Sequence, residues 1–410
     1  MREVTMQSSL LNSIGVVAIA GLFSSCSTKP KPQTLMPTPA VYLSGDLHPF
    51  EHLPKAAKTA KMKVFFATNR KGEPPYGGAI DKTLRYGVAE VEIGLRGESW
   101  ASLEEASTTH PRPEPMPIRL LQSREIERDT EIGSGEWLRE VNAAIGKTKS
   151  KDVVIYIHGA KVGFEHSCAF AAELKHFAGR DVTAMAFDWP THREILSYLD
   201  RVDVSHARAS SAKLADMIEL LSSNTQAEKI HLVSWSAGAR VLSRALDDLG
   251  KRGDDYDLGS VVFAAGDVPE RDFVKRLPAI HKLAERITGY VSDNDFALKW
   301  SSRLMPGGKR LGVEWKDVGP DQVRLLREHP KLEVIDTSYG KEMRGFDIEG
   351  HRYWFQHPWV NSDLVIALRT DQPAAKRGLT SSKQKGLYYF APGYDRKIGK
   401  VAAGLTGGSW

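Results

Sequence analysis

Cysteine is nearly absent: Cys26 and Cys168 are the only two in 410 residues. Two cysteines cannot build a disulfide framework or a cysteine-based metal site. No H-E-x-x-H pair is present to hold a metal on one helix face, and no G-x-G-x-x-G follows a strand-like run to cradle a dinucleotide. These absences speak against a metal-dependent hydrolase and a dinucleotide-dependent enzyme, and no cofactor or metal is expected. An excess of one charge is lacking too. The 56 Lys and Arg stand against 51 Asp and Glu, a net charge of +5 with the signs interspersed, so nothing calls for nucleic acid. The N-terminal apolar run from Leu10 to Phe23 is broken by Asn12 and Ser13 and is too short to span a bilayer comfortably. No internal repeat is visible. What remains is an ordinary globular composition, 41% hydrophobic and 26% charged. The length admits one large α/β domain with appendages or two smaller domains.

The two cysteines have different surroundings. Cys168 lies in the apolar run Phe164–Leu174 and reads as a small core residue. Cys26 ends a segment with the parts of an export signal: Arg2 (weakened by Glu3), the apolar stretch to Phe23, then Ser24-Ser25-Cys26. This pattern resembles a bacterial lipobox, in which the cysteine is lipidated and becomes the new N-terminus. It departs from that pattern in carrying Phe23, where leucine is usual, three places before the cysteine. Cleavage after Ala18-Ile19-Ala20 is the alternative, giving a freely secreted protein. In both readings the folded part works outside the cytoplasm: in the bacterial cell envelope, attached to the membrane through a lipid on Cys26, in the first, and secreted in the second.

Residues 27–60 hold Pro30, Pro32, Pro37, Pro39, Pro49 and Pro54, which suits an extended, poorly packed tether. Two strand-like runs follow, Lys63–Ala67 and Tyr86–Ile93, expected to pair antiparallel at one edge. A second proline cluster, Pro111 to Pro117, marks a loop. From about residue 134 amphipathic helices alternate with short apolar strands: Val153–Ile157, Val182–Phe187, Ile230–Val233, Ser260–Ala264, Ile287–Val291 and Leu332–Ile335. That alternation predicts an α/β fold, a mostly parallel central sheet flanked by helices on both faces. The domain is expected over residues 61–370, with 371–410 a surface-packed extension and the Gly/Ser-rich end, Gly404 to Trp410, frayed.

Ser234-Trp235-Ser236-Ala237-Gly238 stands directly after a strand and before a helix. A turn of the form small-x-Ser-x-small there strains the serine backbone and lifts its hydroxyl above the sheet edge. Ser236 has small residues on both sides in this register, which makes it a better nucleophile candidate than Ser234. A serine at its own pKa needs a base, and the base needs an orienting acid. In the α/β-hydrolase arrangement they follow in the order Ser, Asp or Glu, His. Asp267 and Asp295 both end strands after Ser236. The second strand is the usual place for the acid, which favours Asp295, with Asp267 and Asp293 as alternatives and an N-cap as the plain reading of Asp267. His351, after a glycine and before an aromatic run, is preferred to His357 as the base. Two backbone N–H groups should face the developing oxyanion: that of Ala237, and that of Ala160 or Lys161 after His158-Gly159. His158 itself reads as a loop-shaping residue. Trp189, Trp235, Tyr353, Trp354 and Phe355 are either an acyl pocket or plain core.

The chain resembles the esterase/lipase-like α/β-hydrolases, and in particular a bacterial family of that superfamily without assigned function. The resemblance is carried by Phe65–Arg70, Tyr156–Gly159 with Phe164, Phe187–Thr191, Ser234–Gly238, Tyr290–Leu298, and Gly350–Tyr353 with Asp363-Leu364, together spanning roughly residues 62–370. It implies the α/β-hydrolase fold and a Ser236, Asp295, His351 triad. The family's elbow more often reads Ala-His-Ser-Met-Gly, a departure that bears on pocket shape and substrate and leaves the nucleophile in place. The leading expectation is a serine hydrolase of carboxylic esters, small or lipid. Acyl transfer or amide hydrolysis by the same residues, and a catalytically silent fold acting as an envelope binding module, are the alternatives.

Overall fold

The computed structural model describes residues 33–112, 114–129, 135–313, 315, 318–338 and 350–410. Cys26 and the signal-like stretch lie outside the described residues. The strands are β1 (Gln33–Thr34), β2 (Lys61–Arg70), β3 (Ile80–Ile93), β4 (Pro117–Arg128), β5 (Val153–Ile157), β6 (Thr183–Asp188), β7 (Ile230–Trp235), β8 (Leu258–Ala264), β9 (Ala284–Val291), β10 (Leu332–Asp336), β11 (Thr380–Ser381) and β12 (Leu387–Tyr389). The helices are α1 (Ala40–Leu43), α2 (Trp100–Thr108), α3 (Glu136–Ile145), α4 (Phe164–Phe177), α5 (Ile195–Leu199), α6 (Val202–Asn224), α7 (Gly238–Arg252), α8 (Glu270–Leu283), α9 (Phe296–Leu304), α10 (Pro320–Glu328), α11 (Tyr353–Gln356), α12 (Pro358–Arg369) and α13 (Tyr394–Thr406). No described helix is long and apolar enough to cross a membrane.

The strands form one twelve-stranded sheet in the order β1-β4-β3-β2-β6-β5-β7-β8-β9-β10-β12-β11. Every neighbouring pair from β2 to β12 is parallel, and both flanks are antiparallel. Strands such as Val153–Ile157 are apolar throughout because helices cover both faces. The alternation of side chains divides the core in two. Val154 and Tyr156 pack with α4 and α12, while Ile155 and Ile157 pack with α3, α6 and α7. The chain leaves β5 for β6 on one side, then crosses to β7 on the other. The carboxyl ends of β5 and β7 are therefore a topological switch point, the place where open α/β sheets bind ligands.

The expected antiparallel pair is present as β2 and β3, but it is not the edge. The loop expected at Pro111 to Pro117 leads not into the main core but into β4, which begins at Pro117 and pairs with β3, and β1 pairs with β4. β4 was hidden from the sequence reading because its residues are mostly polar, with Arg119 paired to Glu92 at 2.7 Å.

The tether expectation for residues 27–60 also differs from the structure. From Gln33 onward this stretch packs: Leu35, Met36, Val41, Tyr42, Leu47 and Phe50 are buried. Asn361 Nδ2 donates to Pro37 O at 2.8 Å, and the Val41 N–H to Ser362 Oγ at 3.1 Å. Prolines restrict the unfolded chain and so lower the cost of ordering an extended segment, which lets it pack as well as dangle. The C-terminal end, expected to fray, does not. β12 pairs parallel to β10, two left-handed glycines (Gly407 and Gly408) follow α13, and Trp410 is buried, its Nε1–H donating to Tyr42 Oη at 2.8 Å.

Candidate active site

β7 delivers Ser236 and α7 begins two residues later. Ser236 has φ +52°, a left-handed conformation that costs a non-glycine residue about 1–2 kcal/mol. Neighbouring backbone holds it there: the Ser236 N–H donates to Ala264 O (3.0 Å), and the Asp267 N–H donates to Ser236 O (2.8 Å). The small residues around the turn each have a physical reason. A Cβ on Gly238 would stand 2.4 Å from Ile157 O, so α7 can start only against bare β5 backbone. Ser234, where glycine is usual, is buried with its hydroxyl donating to Val262 O at 3.0 Å. A Cβ on Gly159 would lie 3.0 Å from Ser236 Cβ, which places the loop after β5 against the elbow.

Ser236 Oγ–H donates to His351 Nε2 at 2.8 Å, and His351 Nδ1–H donates to Asp295 Oδ2 at 2.8 Å. This is the neutral tautomer that serves both partners. The His351 side chain is 12% exposed and Ser236 7%, while Asp295 is fully buried, so the acid sits behind the other two. Burial pushes the Asp295 carboxyl above the usual range, outweighing the adjacent His351 and the Leu298 N–H that its Oδ1 accepts at 2.9 Å. Asp295 is also the N-cap of α9, so its second oxygen is fixed by the helix.

Gly350 makes the approach of His351 to Asp295 feasible. Its φ is +61°, and a Cβ there would fall 1.8 Å from Asn294 O. The sequence shows the glycine, but only the fold shows that backbone of the acid's own turn fills the space. On the other side of the imidazole, Trp235 Nε1–H donates to His351 O at 3.3 Å, and the two rings lie 5.6 Å apart.

The loop carrying Ala160 and Lys161 is held by Arg70. Arg70 Nη2 donates to Val162 O (2.7 Å), Nη1 to Thr191 O (3.0 Å), and Nε to Asp188 Oδ2 (2.7 Å), all buried. Arg70 and His158 outweigh burial and hold the Asp188 carboxyl below its ordinary range. His158 stacks on Trp189 and lies 3.2 Å from Asp188, in the wall of this loop. Arg70 and Asp188 sit in sequence stretches that carry the resemblance, but they lie far apart in the chain and nothing local links them. Ala237 is the N-cap of α7, and its N–H is among those a helix leaves without an intrahelical partner.

The remaining candidates lie elsewhere. Asp267 does not meet His351. Its carboxylate takes Ser301 Oγ–H (2.9 Å), Tyr198 Oη–H, Arg240 and Arg310, the last at 2.9 Å. These cations outweigh burial and bring its carboxyl below the ordinary range. The N-cap of α8 is Pro269, so Asp267 does not cap it. His357 caps α12, its Nδ1 accepting the Trp359 N–H at 3.1 Å. Of the aromatics, Trp189 and Trp354 are fully buried core. Tyr353 donates its hydroxyl to Tyr290 O at 2.9 Å. Trp235, whose ring lies 5.6 Å from that of His351, packs edge-on against Phe355 at 5.6 Å. Cys168 is buried, as expected of a core residue.

A dienelactone hydrolase from Anabaena variabilis is 15% identical over 44% of this chain and 84% of its own, with a TM-score of 0.28. An esterase from Pyrococcus furiosus is 13% identical over 75% and 89%, with a TM-score of 0.32. An acylaminoacyl peptidase from Pyrococcus horikoshii is 9% identical over 69% and 53%, also at 0.32. Likenesses this low carry no argument about substrate. No curated protein matches the chain. The fold is that of the α/β-hydrolases. The matching family covers residues 135–369, from α3 to the end of α12, and the chain belongs to it: the alpha/beta hydrolases of unknown function, DUF900.

Proposed function

We propose that this protein is a serine hydrolase of carboxylic esters, with Ser236 as nucleophile, His351 as base and Asp295 as the orienting acid. One observation carries the reading: a serine at φ +52° on a strand-to-helix turn, joined to a buried carboxylate through one imidazole by two 2.8 Å hydrogen bonds. Such a relay is what activates a hydroxyl otherwise too weak to attack.

As Ser236 Oγ attacks the ester carbonyl, its proton passes to His351 Nε2. The imidazolium formed is stabilised by Asp295, which stays ionised. The oxyanion is met by the N–H of Ala237, at the positive end of α7, and by that of Ala160 in the loop held by Arg70. Collapse of the tetrahedral adduct breaks the ester C–O bond, and His351 returns the proton to the departing alkoxide. Water then repeats the sequence on the acyl-serine, releasing the acid and restoring the hydroxyl.

The export pattern supports a companion proposal: Cys26 is lipidated, and the domain works in the cell envelope on small or lipid esters. Loss of incorporated fatty acid in Cys26→Ser tests the anchor.

The activity is tested by fluorophosphonate labelling of the purified protein. Stoichiometric labelling is expected, abolished in Ser236→Ala and steeply reduced in His351→Ala. Labelling that persists in Ser236→Ala, or a well-folded protein that never labels, would overturn the assignment.

A further inference from the structure

Large apolar side chains are rarely exposed in a row, yet α9 exposes three. Phe296, Trp300 and Leu304 are 53%, 37% and 44% exposed. At intervals of four they form one stripe spanning roughly 80° of the helix circumference. The buried residues of α9, Leu298 and Ser301, are centred about 130° around the helix from the stripe, so the stripe lies outside the face packed on the core. Cations border it. Lys299 Nζ lies 5.5 Å from the Phe296 ring centroid, and the Arg303 guanidinium carbon 5.7 Å from that of Trp300. The helix, Phe-Ala-Leu-Lys-Trp-Ser-Ser-Arg-Leu, contains no acid.

We propose that α9 docks on an anionic lipid bilayer, with the stripe among the headgroups and Lys299 and Arg303 against their phosphates. Aromatic and leucine side chains edged by Lys and Arg are the composition of an interfacial helix. The absence of acids from α9 favours an anionic surface. Asp295 caps the same helix, so docking would hold the helix of the proposed acid at the bilayer and favour esters presented there. The binding step itself does not depend on the chemistry proposed for Ser236.

The test uses the full chain carrying Cys26→Ser, which removes any lipid anchor. Cys168 is fully buried, so an environment-sensitive fluorophore labels a cysteine introduced by Leu304→Cys. The control position is Leu95→Cys, 64% exposed in the turn after β3. Vesicles of phosphatidylcholine with phosphatidylglycerol as minor component should blue-shift and brighten the probe at 304 and leave that at 95 unchanged. Lys299→Glu and Arg303→Glu should each raise the lipid needed about fivefold, and Phe296→Ser with Trp300→Ser should raise it further. Equal response at both positions, no response at 304, or indifference to the charge reversals would overturn the proposal. So would a probe already blue-shifted without vesicles, since part of the chain would then cover the stripe. Because the readout is fluorescence, the outcome stands whether or not Ser236 labels.

Discussion

Two aspartates end their respective strand-to-helix connections on adjacent parallel strands, and the structure gives them opposite surroundings. Asp267, after β8, is surrounded by donors and held low by two arginines, once burial is outweighed. Asp295, after β9, has one imidazole and one backbone N–H, and burial leaves it high. Both are buried and both are fixed. The first is saturated, so its proton affinity and position have little left to give. The second is kept short of partners on one side, so that its remaining interaction is directed at His351. The same residue type thus serves as a structural anchor in one place and a candidate catalytic acid in the other, according to the donors supplied.

The comparison can be broken first at Asp295. Asp295→Asn keeps the shape but no longer enforces the Nδ1–H tautomer, and turnover should fall about 10⁴-fold with the melting temperature little changed. A variant that keeps most of its rate of ester hydrolysis would show that Asp295 is only a helix cap. Gly350→Ala alters no polar group, but its methyl would meet Asn294 O. Displacing the imidazole by about 1 Å should lower turnover about 100-fold, measured with a soluble ester, while circular dichroism shows the fold retained.

Asp267→Asn should act in the reverse order, mainly on stability. It leaves Arg240 and the fully buried Arg310 without their counterion, which costs about 3–5 kcal/mol, read from denaturant unfolding. The sign with pH follows from its depressed carboxyl. The stabilisation is complete above about pH 4 and is lost as pH falls through the lower folded value, so wild type and variant should converge in acid. Turnover per folded molecule should stay within about tenfold of wild type. One small shift sharpens the contrast further. Asp267 disfavours the ionised form of Asp295, so its removal lowers the Asp295 pKa. The acid limb of the rate profile, which reports protonation of the coupled Asp295–His351 pair, should then move to lower pH. A limb that stays in place would mean that the two aspartates are electrostatically separate.

The parallel core was legible because each strand is a short apolar run next to a helix of visible period. Ser236 was legible for a local reason: strand, turn and helix are consecutive, and small residues flank the serine. The order of Asp295 and His351 after it came from the logic of the fold. What stayed hidden is non-local. β4 carries too many charges to read as a strand, and its pairing with β3 is visible only in space. The prolines of residues 33–60 gave no hint that Tyr42 meets Trp410. Arg70 and Asp188 are 118 residues apart, and no periodicity connects them to the loop they hold. Gly350 was seen, but its indispensability depends on a carbonyl brought against it by another strand's turn.

The left-handed backbone of Ser236 has a consequence for heat tolerance. Glycine adopts that conformation without strain, whereas alanine keeps the strain and lacks the same hydroxyl. Ser236→Gly should therefore melt above Ser236→Ala by the equivalent of about 1 kcal/mol, although the proposed mechanism expects both to be inert. A protein selected for durability alone would drift toward glycine at this position. Serine there leaves the fold slightly less robust than glycine would, a sacrifice that the role proposed for the hydroxyl accounts for.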